Sequence, residues 1–194
     1  MTSISDRTAT ATAVLEREHR SAEAVVATMS TIADRLEEER RIDVSLLTEV
    51  IFFLRIFADQ CQEAKEEHLL FPALDGRCVR PACSVATLKS EHRQAESLTL
   101  ALLEAADAYA AGDASAAKSL VRTLRALASL YREHIRKEND VLLPLAEEVL
   151  TQEQQEMLSE AFQRVESMIS SDEVASRIGE RAQRCVCHLG EVFN

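Results

Sequence analysis

Apolar residues recur at intervals of three and four along almost the whole chain, the spacing of helices that bury one face. The first such pattern runs over residues 5–39 and breaks at 40–43. The second runs over 43–74, with Asp43 placed as its N-cap, and a loop over 75–84 follows in which Gly76 and Pro81 act as breakers. The third covers 84–111 and stops at Gly112-Asp113, and the fourth continues from there to Leu150. Thr151, with Gln154 three residues on, reads as the capping box of a fifth helix. Ser171-Asp172 opens a sixth that carries the tail.

Long helices joined by short connections pack as antiparallel neighbours. The pattern therefore predicts an all-α protein: an up-down-up-down four-helix bundle over residues 1–150, with additional C-terminal helices over 151–194 as an appendage. Those helices would dock on the bundle or form a homodimer interface. Composition agrees, since only 4 Gly and 3 Pro interrupt a chain that is 46% hydrophobic. The net charge of −11 leaves no basic stripe for phosphates, so no nucleic-acid partner is expected. No apolar run approaches the ~18–20 residues of a membrane span, and the first residues lack the basic and apolar regions of a signal peptide. A soluble, cytoplasmic protein is the expectation.

The chemistry lies in an internal repeat. Shifted by 72, "QEAKEEHLLFPAL" (62–74) falls on "HIRKENDVLLPLA" (134–146). In the preceding helices "EHRSAEAV" (18–25) resembles "EHRQAESL" (91–98). Each half thus offers one histidine from its first helix and a pair of residues four apart from its second. The pair is His134 and Glu138 in one half and Gln62 and Glu66 in the other. Residues four apart lie about 40° from each other around a helix and face the same way. His19 stands 22 residues before Arg41, and Gln62 and Glu66 stand 21 and 25 after it. His92 stands 21 before Asp113, and His134 and Glu138 stand 21 and 25 after it. All these side chains therefore share one level of the bundle, roughly 32–37 Å from the end with both connections. Polar residues from four helices at one level of a core either satisfy one another or bind metal.

These motifs resemble the hemerythrin-like (HHE cation-binding) family over about residues 14–148. The segments at 62–74 and 134–146 are similar to its H-x-x-x-E-x-x-x-x-[FL]-P signatures, and "EREH" and "KSEH" to its single-histidine helices. The resemblance implies a four-helix bundle around a non-haem di-iron centre. His19, His92 and His134 would be imidazole ligands, and Glu66 and Glu138 carboxylates bridging two iron ions. The chain departs from the pattern at Gln62, where the family places a histidine. Glu63, three residues before Glu66, is the expected substitute ligand, although Gln62 could serve. A carboxylate there would favour ferric iron or admit manganese, and zinc could also take the site.

Family members bind oxygen, store or sense iron, or handle nitric oxide and peroxide under oxidative or nitrosative stress. The resemblance thus implies a di-iron protein that binds or reacts with a small diatomic or peroxide ligand. An iron or oxygen sensor or store without catalysis is the alternative, as is a helical interaction module with a degenerate site. Whether the chain is an enzyme stays open. His68 lies about 200° around the helix from Glu66 and reads as a surface residue. Cys61 reads as a small buried thiol. Cys78, Cys83, Cys185 and Cys187, with His188, would be free thiols or a second, thiolate-rich metal site.

Overall fold

The computed structural model describes residues 10–74, 76, 84–113 and 115–170. They form five helical rods. Helix α1 is Ala11–Glu37. Rod α2 (44–73) alternates α-helix with wider π-helical turns over Leu54–Gln62 and Glu66–Leu70. Helix α3 is Val85–Ala110. Rod α4 (116–149) has one π-helical stretch, Glu138–Leu142. Helix α5 is Gln152–Ser170. The expected sixth helix and the cysteines at 78, 83, 185 and 187, with His188, lie outside the described residues.

The helix ends have local causes. The Asp43 carboxylate accepts from the Ser45 amide, as its reading as an N-cap requires. The Gln154 amide donates to Thr151 Oγ1 while Gln154 Oε1 accepts from the Thr151 amide, which completes the capping box. Gly112, with φ +86°, ends α3 in the left-handed conformation that glycine adopts without penalty.

The repeat is visible in the backbone as well as in the side chains. The amide of Phe71 bonds to the carbonyl of Glu66, and that of Leu143 to the carbonyl of Glu138, each five residues back. Pro72 and Pro144 follow these amides. Their rings lack the N–H and would clash with the carbonyl four residues earlier, and a wider turn relieves that clash.

The bundle places α1 beside α4, α4 beside α3 and α3 beside α2, while α5 lies across α1 and the C-terminal half of α2. Its core has two apolar layers. One includes Val25, Met29, Leu54, Ala58, Ala95, Leu127 and Ile135. The other includes Leu15, Leu70, Phe71, Leu88, Leu142 and Phe162. Along the first four rods the candidate polar residues fall where these layers meet: His19 after Leu15 and before Val25, Glu66 between Ala58 and Leu70, His92 between Leu88 and Ala95, and Glu138 between Ile135 and Leu142. The site is thus sealed above and below by side chains that exclude water. Among the described residues no helix is long and apolar enough to cross a membrane.

Candidate metal centre

His19, Glu66, His92, His134 and Glu138 are all buried and meet in this polar layer. His19 Nε2 lies 3.0 Å from Glu138 Oε2 and 3.9 Å from Glu66 Oε1. His92 Nε2 lies 3.3 Å from Glu66 Oε2. His134 Nε2 lies 3.4 Å from Glu138 Oε1. Each carboxylate therefore turns one oxygen towards His19 and the other towards the His92–His134 pair. The ligand atoms of Glu66, His92, His134 and Glu138 lie within 4.8 Å of one another, so these four residues form a Glu/His cluster able to chelate a metal ion.

The hydrogen bonding shows that this layer is not a satisfied polar network. His19 Nε2, Glu66 Oε2 and both oxygens of Glu138 are buried without a hydrogen-bond partner. They lie close to other charged atoms yet make no hydrogen bond with them. Buried polar atoms left unpaired in protein are costly, and a cation among them would satisfy them. His92 Nε2 and His134 Nε2 face each other at 3.1 Å. That is close to the roughly 3 Å between adjacent ligands that each sit about 2.1 Å from one metal ion. The residues fit a metal.

Each imidazole is held from its outer side. The Nδ1–H of His19 donates to Asn139 Oδ1 at 2.6 Å, that of His92 to Glu67 Oε1 at 2.8 Å, and that of His134 to Glu91 Oε2 at 3.0 Å. A proton fixed on Nδ1 leaves Nε2 as the nitrogen that can ligate. Glu67 and Asn139 are repeat equivalents, each following a central glutamate, and each reaches the histidine of the other half. Lys137 is tied to Glu91, and Lys65 to Glu18. The frame around the centre is therefore two-fold.

Electrostatics tie the centre together. Burial alone would lower the His19 pKa, but the Glu138 and Glu66 carboxylates push it up to about 10. Burial likewise opposes protonation of His92, and Glu66 above all pushes it up to about 9. Burial would raise the Glu66 pKa, but His19 and His92 hold it well below the usual carboxylate range.

Glu63 is not brought to this point. It is partly exposed, and its Oε2 lies 4.0 Å from Nδ1 of His92, the outer nitrogen that Glu67 already holds. Gln62 is the residue that faces inward: it is buried and donates from Nε2 to Glu66 Oε1 at 3.1 Å. His68 is exposed. Cys61 is buried, and burial raises its pKa, which keeps it an unreactive thiol. The outer partners Glu67, Glu91 and Asn139 were not singled out from the sequence. Their signal was the repeat itself, which places an acid or amide directly after each central glutamate and a glutamate before each single histidine.

Four antiparallel rods around a buried layer of histidine and glutamate define a helical-bundle metal-binding protein. The family model of the hemerythrin HHE cation binding domain matches residues 10–146, and the chain belongs to that family. No curated protein and no solved structure matches the chain.

Replacing Glu91 with alanine tests the outer shell. Loss of its bond to His134 should weaken metal affinity by about 10- to 100-fold. Competition against a chromogenic chelator measures this, and unchanged affinity in a folded variant would show that Glu91 does not serve the metal.

Proposed function

We propose that this chain is a non-haem di-iron protein that binds or reacts with a small oxidant: oxygen, peroxide or nitric oxide. His19, His92 and His134 would be its imidazole ligands, and Glu66 and Glu138 its bridging carboxylates. Manganese or zinc are the alternative ions. One observation carries the reading: a buried layer in which ligand atoms from four helices converge, with His19 Nε2, Glu66 Oε2 and both Glu138 oxygens left without hydrogen-bond partners. A bound iron pair would supply electrons and open coordination positions. The protein residues orient the rings through Nδ1, hold two carboxylates between the positions and keep bulk water out. A cleft of about 410 Å³ between α1 and α4, with Ile135 and Asn139 in its wall, reaches the residue behind His19. The buried free thiol of Cys61 suits a reducing, cytoplasmic setting.

A second reading, an iron or oxygen sensor, is favoured by one contact. Glu166 on α5 bonds to Lys65, which also bonds to Glu18 beside His19. The helix after the bundle thus touches the flank of the centre.

Metal analysis of the purified chain with an absorption spectrum, before and after adding peroxide or nitric oxide, tests the proposal. Bound iron and a spectrum that changes with the oxidant are expected. Absence of metal, or a spectrum indifferent to both oxidants, would overturn it.

The pKa shifts add a pH prediction. With their pKa values pushed up by the carboxylates to about 10 and about 9, His19 and His92 should be imidazolium in the metal-free protein near neutral pH. Their ion pairs contribute stability in full below the ordinary histidine pKa and lose it as pH rises through about 9 to 10. A metal needs Nε2 without its proton, so uptake should expel one proton from each ring, and affinity should fall as pH is lowered. Calorimetric titration in two buffers of different ionisation heat measures the release, and equal heats would contradict it.

A further inference from the structure

We infer that the two metal positions of this chain are unequal: the one at His92 and His134 fills first and keeps its ion, and the one at His19 is weak and exchanges its ion. This rests on the two-metal reading above and adds the order and strength of loading.

Three features point the same way. The first is the donor set. His92 and His134 supply two imidazoles to one position, with Glu66 Oε2 and Glu138 Oε1 at 3.3 and 3.4 Å from their respective ring nitrogens. The tightly convergent group of ligand atoms consists of these four residues and does not include His19. At the other position His19 is the single imidazole. Gln62 takes the place that His134 holds in the opposite half, and it directs an N–H at Glu66 Oε1, the carboxylate oxygen that faces His19. That hydrogen competes with the second ion for the electron density of this oxygen. An amide oxygen, were the group to turn over, is a weaker donor to iron than imidazole.

The second feature is the outer shell. His92 and His134 are backed by the carboxylates of Glu67 and Glu91, whereas His19 is backed by the neutral amide of Asn139. A carboxylate behind the ring makes its other nitrogen a stronger donor. The weaker backing falls on the position that already has fewer imidazoles.

The third feature is a vestige. Glu91 uses one oxygen for Lys137 and the other for Nδ1 of His134. Its repeat counterpart Glu18 bonds to Lys65 through Oε1, but its Oε2 is buried with no hydrogen-bond partner. The first half thus retains a buried acceptor whose counterpart holds an imidazole in the second half. The frame of a second strong position is present, and its ring is missing.

Anaerobic titration of the metal-free chain with iron(II) against a competing chelator tests the inference. Loss of an inner imidazole and of a carboxylate backing, each a change of about tenfold or more, predicts two uptake steps separated by at least about 100-fold. His19→Ala should remove the weak step and leave the strong one. Gln62→His, whose ring could donate to Glu18, should bring the weak step to within about tenfold of the strong one. Exchange against isotopically labelled iron(II) reads the same property in the unaltered protein: one ion should exchange quickly and the other slowly, whether or not a variant folds. Two equal steps, or loss of the strong step in folded His19→Ala, would overturn the inference and leave the two-metal reading intact. Absence of any uptake would overturn both.

Discussion

His134→Ala is expected to lose most of the bound metal and to melt well below the unaltered protein. His134 is buried, supplies one of the four convergent ligand atoms, and bonds through its other nitrogen to Glu91. A metal that binds only the folded state stabilises it by about 3 kcal/mol at a hundredfold excess over its dissociation constant. For a chain of this size that corresponds to about 6–12 °C in melting temperature. The metal-dependent part can be isolated by melting both proteins with and without chelator. The gap between them should be larger with metal present, since the chelated proteins differ only by a cavity and a lost ion pair. Normal metal occupancy and an unchanged melting temperature in the variant would reject His134 as a ligand.

The order of the helices and the level of the centre were legible because both depend on quantities the chain displays directly. Breakers at 40–43 and 112–113 mark the connections, caps at Asp43 and Thr151 mark starts, and a constant rise per residue converts sequence distance to height. Rotation about the α2 axis was harder to read. In a regular α-helix, Gln62 and Glu63 both lie near the face of Glu66, and a carboxylate is the better ligand. The structure has a π-helical stretch that ends at Gln62, and this changes the phase of the turn that carries the two residues. Gln62 faces in and Glu63 faces the outer side of His92. The prolines at 72 and 144 account for the wider turns after the central glutamates once those turns are seen, but no residue type announces the stretch over Leu54–Gln62. Lys65 also escaped. Between Glu63 and Glu66 it reads as part of a solvated helix face, yet it has no exposed surface. Its burial depends on α5, and nothing in the local pattern says where that helix docks.

Lys65 is therefore the site of the second large effect. Its ammonium bonds to Glu18 and, at 2.7 Å, to Glu166, and it lies 5.8 Å from the centre of the Phe162 ring on α5. Burial would lower its pKa, but Glu18 and then Glu166 outweigh burial and raise it, so the charge persists throughout the physiological range. The Glu18 carboxylate is buried beside it, with burial raising its own pKa and Lys65 opposing that rise. Lys65→Met keeps the volume and removes the charge. Glu18 would then be a buried carboxylate with no cation, and breaking a buried pair in this way costs about 3–5 kcal/mol. Removing both partners is a different matter: Lys65→Met with Glu18→Gln leaves no unpaired charge and should recover most of the loss. Glu166→Gln should cost about 1 kcal/mol or less, because the Glu166 side chain is 38% exposed and water screens its share of the pair. Urea unfolding of the three variants, followed by circular dichroism, separates these contributions. A Lys65→Met protein as stable as the parent would show that Glu18 gives up its charge freely. The lysine would then be a packing residue under α5, with no electrostatic role between that helix and the centre.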